Sequence, residues 1–209
     1  AGEGAFGDLP FMQACLAEIR SGSEKGQLYA SGTARVGAAL KVARVPVIKK
    51  QAISAYDPRV VEVTGISMML TAQGADHTVG NAPSFKCDDK SIAELVAESL
   101  RMQINSAVAD SFGLCVFGRS VTDDNLKLIA DAINDAFDAG VDPEFIRHIA
   151  FETLRLEAAF NKAAGFDEAD DELPSFFTDE PLPPTNKTNR LFSREVNQQM
   201  QTLLANAPV

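Results

Sequence analysis

The chain has 209 residues, 45% hydrophobic and 23% charged, a balance that suits a folded globular protein and excludes a disordered or fibrous one. Its 29 acidic against 19 basic side chains give a formal charge of -10, which repels phosphate backbones and anionic membranes and so excludes nucleic acid as an expected partner. No apolar run approaches the roughly 18 residues that span a bilayer, no basic-then-apolar leader opens the chain, and three widely spaced cysteines (Cys15, Cys87, Cys115) make no disulfide framework, which together predict a cytoplasmic protein without a membrane segment.

In chain order, Leu9, Met12, Leu16 and Ile19 recur at helical spacing between Asp8, a plausible N-cap, and Gly22, and predict an amphipathic helix. A second, alanine-rich helix is predicted from about Ser31 to Ala43, with Val36, Leu40 and Ala43 on one face. Val45 to Tyr56 reads as an extended connector, because Pro46 disfavours helix before it and the branched residues suit a strand-like path. Asp57 and Pro58 offer a cap and a first-turn proline for a helix that places Val61, Thr64, Met68 and Thr71 on one face and ends near Gly74.

Ala75 to Cys87 predicts a loop. From Asp88 or Asp89 to Ser111, Ile92, Leu95, Val96, Leu100, Ile104 and Val108 give the clearest helical period in the chain. Further helices fit Thr122 to Ala139, Pro143 to Ala164 with Asp142 capping, and Asn189 to Ala205. Between the last two, the proline-rich and acidic stretch from Gly165 to Thr188 predicts a surface wrap pinned by Phe166, Phe176 and Phe177. The fold class is all-α: an irregular multi-helix domain over 47–209, preceded over 1–46 by the helical end of a neighbouring domain.

Three places carry candidate chemistry. Around Asp57-Pro58-Arg59, a helix start with Arg59 seeking a carboxylate accounts for the residues. His77, in Gln73-Gly74-Ala75-Asp76-His77, either hydrogen-bonds its own loop or transfers protons near neutral pH, with Asp76 orienting its ring or merely solvated. Asp110-Ser111-Phe112-Gly113-Leu114-Cys115 reads either as a glycine-terminated helix with a buried thiol or as a metal or cluster thiolate beside a carboxylate. One cysteine cannot hold a cubane cluster, which generally takes four thiolates, so further ligands would come from outside the chain.

Taken in order, Lys49-Lys50-Gln51 with Ala55-Tyr56-Asp57-Pro58-Arg59, then Gly74-Ala75-Asp76-His77, then Asp110-x-x-Gly113-Leu114-Cys115, then Asp170-Asp171-x-Leu173-Pro174, resemble the C-terminal half of the aldehyde:ferredoxin oxidoreductases. Glu157 to Pro184 looks like that family's closing segment, and the resemblance runs from about Phe6 to the end. It implies an enzyme that oxidises aldehydes to carboxylic acids with water. Tungsten, or molybdenum, held between two pterins would stand beside a 4Fe-4S cluster that passes electrons to ferredoxin. By the same resemblance, Asp110 and Leu114 would contact a pterin, Cys115 would be the fourth cluster ligand, and His77 would handle a proton near the metal.

The family's β-rich pterin base and its other three cluster cysteines are not in this sequence. The resemblance therefore casts the chain as the last third of a longer protein, cut at Ala1, inactive alone and partnered by the missing N-terminal part, with a homodimer possible. The alternatives are a relative that acts on another acid or aldehyde, and a helical interaction domain without catalysis.

Overall fold

The computed structural model describes residues 4–207, so Ala1, on which the reading of a cut rests, and the last two residues of the expected 47–209 domain lie outside it. Asp8 accepts a hydrogen bond from the Phe11 amide and Pro10 sits in the first turn, so helix α1 (Leu9–Ser21) starts as expected, and left-handed Gly22 ends it. Its apolar stripe is not covered, however: the helix buries no residue, and Leu9 and Leu16 remain 58% and 62% exposed.

Helix α2 (Glu24–Ala30) is absent from the sequence expectation. Ser23 caps it, and Gly26 allows the close approach to α1, because a Cβ there would lie 2.1 Å from the Glu18 carbonyl oxygen. Helix α3 (Thr33–Ala39) is shorter than the predicted Ser31 to Ala43, since Lys41 turns into the left-handed region at φ 54°.

The predicted extended connector is a small antiparallel hairpin, β1 (Val47–Ile48) and β2 (Gln51–Ala52). Its turn residues Lys49 and Lys50 both have positive φ, 47° and 66°, where Asn-Gly is the usual choice. The strain persists because Lys49 is fixed from outside. Its side chain is buried, its ammonium donates to the Met69 carbonyl at 2.6 Å and pairs with Asp171, and its amide donates to the Asp170 carbonyl at 3.2 Å.

Helix α4 (Glu62–Leu70) begins later than Asp57-Pro58 suggested. Asp57 is occupied: its carboxylate accepts from the Arg59 amide and grips the Arg59 guanidinium at 2.9 and 2.7 Å, while Arg59 also donates to the Glu180 carbonyl at 2.6 Å. Every residue from Glu62 to Met69 is buried, so the helix has no solvent face and is the axis of the fold. It packs on α5 (Ile92–Ser111) and α10 (Ser193–Ala205). A capping box of Ser91 and Glu94 starts α5, a few residues after the predicted Asp88 or Asp89.

Helix α6 (Arg119–Thr122) and helix α7 (Leu126–Phe137) replace the single predicted helix from Thr122, because left-handed Asp124 breaks it. α7 packs on α8 (Pro143–Ala163), which is capped by Asp142 as expected and lies along α5. One apolar cluster surrounds α4 and a second joins α5, α7 and α8, with Ile104 and Leu154 packed against both. The proline-rich stretch carries only α9 (Phe176–Asp179) and is pinned by buried Phe177 and Leu173, whereas Phe166 is exposed. Asn189 does not open α10: its side chain bonds both the amide and the carbonyl of Leu191, at 2.9 and 2.7 Å, and holds that stretch out of the helix. Arg190, next to it, grips buried Glu62 at 2.5 and 2.7 Å.

The hydroxyls of α4 face the loop that follows it. Ser67 donates to the Gly80 carbonyl at 2.9 Å, so Ser99 must donate to Ser67 at 2.8 Å, and Gln103 donates to Ser99 at 3.0 Å. Thr64 bonds Asn81 at 3.0 Å and accepts from the Ala82 amide at 3.0 Å. No side chain fits at position 80, because a Cβ there would lie 2.3 Å from Ser67 Oγ. Gly80→Ala should therefore cost about 1–3 kcal/mol in urea unfolding, as overpacking usually does. A variant as stable as the parent would show that the loop is not held at this point.

Candidate functional site

Gly113 ends α5 in a left-handed turn at φ 64°: the Gly113 amide donates to the Asp110 carbonyl at 3.3 Å and the Leu114 amide to the Ala109 carbonyl at 2.7 Å. This pair of reversed bonds satisfies the last carbonyls and turns the chain away from the helix axis. Leu114 packs its side chain against the second apolar cluster, and Cys115 emerges exposed. A single 3-10 turn over Val116–Gly118 follows and leads into α6 at Arg119.

Asp110 is exposed in the last turn of α5, and no described residue gives its carboxylate a hydrogen bond or a paired cation. A negative charge at a helix C-terminus meets the negative end of the helix dipole, a cost of about 0.3–1 kcal/mol. Its charge is felt by a nearby carboxylate. Partial burial raises the carboxyl pKa of Glu157 on α8, and the charges of Asp110 and then Asp76 raise it further. Glu157 thus lies within electrostatic reach of carboxylates from the loop after α4 and from the end of α5.

His77 lies on that same loop. Gly74 and Ala75 both take positive φ, and the Ala75 amide donates back to the Met68 carbonyl at 2.8 Å, which reverses the chain directly after α4. Asp76 accepts from the Thr78 amide and hydroxyl at 2.7 and 2.8 Å, so it shapes the turn and does not orient the imidazole. His77 is half-buried against Tyr56, with ring centroids 5.4 Å apart.

The four motif segments are linked in series. Lys49 of the first pairs with Asp171 of the last. Tyr56 of the first stacks on His77 of the second. The Thr78 carbonyl, next to His77, accepts from Arg119 at 2.8 Å and from Ser106 at 3.4 Å, on either side of the Asp110-to-Cys115 segment. Sequence reasoning missed Glu157, Arg119 and Ser106 as parts of this arrangement, since only their neighbours distinguish them from ordinary surface or helix residues.

Among the described residues no group of three or more His, Cys, Asp or Glu side chains could hold a metal ion. Cys87 is buried with its thiol toward the Phe85 carbonyl, and Cys15 is half-buried in the N-terminal helices. The donor set fits one thiolate of a shared cluster and does not fit a complete one.

The chain matches the family described as aldehyde ferredoxin oxidoreductase, domains 2 and 3, over residues 2–205. It is similar to the tungsten-containing aldehyde ferredoxin oxidoreductases of Thermococcus kodakarensis, at 32% identity over 149 residues, and of Pyrococcus horikoshii and Pyrococcus furiosus, at 31% and 30%. Each alignment covers 65% of this chain and 24% of the relative, so the matched stretch is about a quarter of those proteins.

The acidic surroundings of Glu157 have a consequence for stability. Because the raised Glu157 carboxyl favours the protonated folded form, stability falls as pH climbs from the ordinary glutamate range through the raised value, and it stays lower above it. Glu157→Gln should therefore melt above the parent at neutral pH, and the gap should close below the ordinary glutamate range. A gap that is independent of pH would contradict those surroundings.

Proposed function

The chain belongs to the aldehyde ferredoxin oxidoreductase family, and on that premise we propose that it forms the helical wall of a site at which an aldehyde and water become a carboxylic acid, two protons and two electrons. When bound, a tungsten or molybdenum bis-pterin centre supplies the two-electron redox chemistry and a 4Fe-4S cluster carries the electrons on to ferredoxin. The observation that carries this reading is the run of contacts that links the four motif segments and ties the loop of His77 to both sides of the end of α5, where Asp110 presents a carboxylate that nothing in the described chain neutralises.

Each residue has a role that its setting supports. Asp110 accepts hydrogen bonds from pterin ring N–H groups, which offset its unfavourable place at a helix C-terminus. Leu114, half-buried against the second apolar cluster, would contact the same ring with the part of its side chain left open. Cys115, exposed just past the helix end, supplies one thiolate to the cluster. His77, held on its face by Tyr56, makes no hydrogen bond to the described residues through its imidazole and takes up a proton released from water or the aldehyde oxygen.

In this reading the other three cluster thiolates and the second face of the cofactor site belong to polypeptide beyond this chain, with residues 1–46 the end of a middle domain and 47–209 the C-terminal domain. The apolar side chains left open support it: Phe117, two residues past Cys115, is 94% exposed, and Leu16 on α1 is 62% exposed. No described helix is long and apolar enough to cross a membrane, which fits a cytoplasmic enzyme served by a ferredoxin.

Two measurements check the assignment. The chain purified alone should hold neither tungsten nor iron in stoichiometric amount, and a full cluster on it would contradict the role of Cys115. In protein that carries the whole site, His77→Ala should lower turnover about 10²–10⁴-fold with iron retained. Cys115→Ala should lose iron and ferredoxin reduction together. A parental rate in the first variant with a normal cluster in the second would remove both residues from the site.

A further inference from the structure

Arg119 is the first residue of α6, four residues past Cys115. One of its terminal nitrogens, Nη2, donates to the Thr78 carbonyl at 2.8 Å and to the Ser106 hydroxyl at 2.6 Å. Ser106 is itself buried, one turn before Asp110 on α5, and lies 3.4 Å from the same Thr78 carbonyl. The three groups close a triangle that joins the loop of His77, the helix of Asp110 and the segment after Cys115.

Among the described residues Arg119 makes no salt bridge, and Asp123, four residues on, feels its charge without bonding it. Although the chain carries ten more acidic than basic side chains, the guanidinium bonds a neutral carbonyl and a neutral hydroxyl, and its buried Nε has no hydrogen-bond partner among the described residues. A buried N–H left unpaired costs about 1–3 kcal/mol, so stability does not account for this choice of residue. Position does: a charge-assisted bond to the carbonyl one residue past His77 restrains the loop more firmly than a neutral one. Within the loop, Asp76 accepts from the Thr78 amide and hydroxyl, so Thr78, the neighbour of His77, is held by its amide as well as by its carbonyl.

We propose that Arg119 is a positioning residue, which holds the imidazole of His77 in register with the Asp110 and Cys115 end of α5. The inference rests on the role given to His77 above. Because both bonds leave a single nitrogen, a lysine ammonium can replace them, whereas a methionine of similar length cannot.

The test uses protein that carries the whole site, with three readouts. Arg119→Met should speed amide hydrogen exchange over residues 77–80 about tenfold, the worth of a charged hydrogen bond, and lower turnover about 10²-fold, the cost of a misplaced catalytic group, with iron content unchanged. Arg119→Lys should restore both. The double variant with His77→Ala should be no slower than His77→Ala alone, since a misplaced group and an absent one fail at the same step. Ser106→Ala, a milder change, should speed exchange over the same residues by a smaller factor.

Unchanged exchange in this loop, loss of iron, failure of lysine to rescue, or multiplicative losses in the double variant would each overturn the proposal. A parental rate for His77→Ala would instead contradict the role of His77, and the exchange rates would still decide whether Arg119 holds the loop.

Discussion

The fold depends on one constraint: helix α4 has no face open to water. Eight of its nine residues, Glu62 to Met69, are buried, and among them Glu62, Thr64 and Ser67 carry polar groups that must find partners inside. Each partner fixes a different part of the chain. Glu62 draws in Arg190 and with it the stretch before α10, Thr64 ties Asn81 and Ala82, and Ser67 ties Gly80 on one side and Ser99 of α5 on the other. A helix that only filled space would leave the loop after it free. This one holds the loop by its backbone, so the site is built on rigid elements although His77 lies between helices.

The end of α5 is electrostatically unfavourable within an otherwise long and well-capped helix. Helices α1, α2, α5 and α8 start with side-chain caps, yet α5 ends with a carboxylate where a cation belongs, within electrostatic reach of the Glu157 carboxylate. The cost is small against a typical folding stability of about 5–15 kcal/mol, so the fold tolerates it. Under the role proposed for Asp110 that cost has a reason, since a carboxylate with open acceptors at a helix end suits a ring that offers N–H donors. Local rules that fail without compensation in the chain mark where a partner belongs.

What could be read from the sequence divides along the range of the forces involved. The starts of α1 and α8 were legible because Asp8 and Asp142 cap within three residues, and α5 was legible because its apolar period runs through 20 residues. The start of α4 was not, because Asp57 spends its carboxylate on Arg59 and burial places the helix further on. The Lys49-Lys50 hairpin contradicts turn propensity, and the Asp171 that secures it is 122 residues away. His77, Asp110, Leu114 and Cys115 stood out through motif order. Glu157, Ser106 and Arg119 did not, since their meaning comes wholly from what they face.

In the proposed site the end of α5 and the loop held by α4 form one wall around the cofactors, with Cys115 bound to iron. Anomalous diffraction at the iron absorption edge, from crystals of protein carrying this chain together with the remaining cluster ligands, tests it most directly. The account requires iron within bonding distance of Cys115 Sγ and the pterin ring against the Asp110 carboxylate. Iron held entirely by other residues, with the Cys115 thiol turned to solvent, would contradict it.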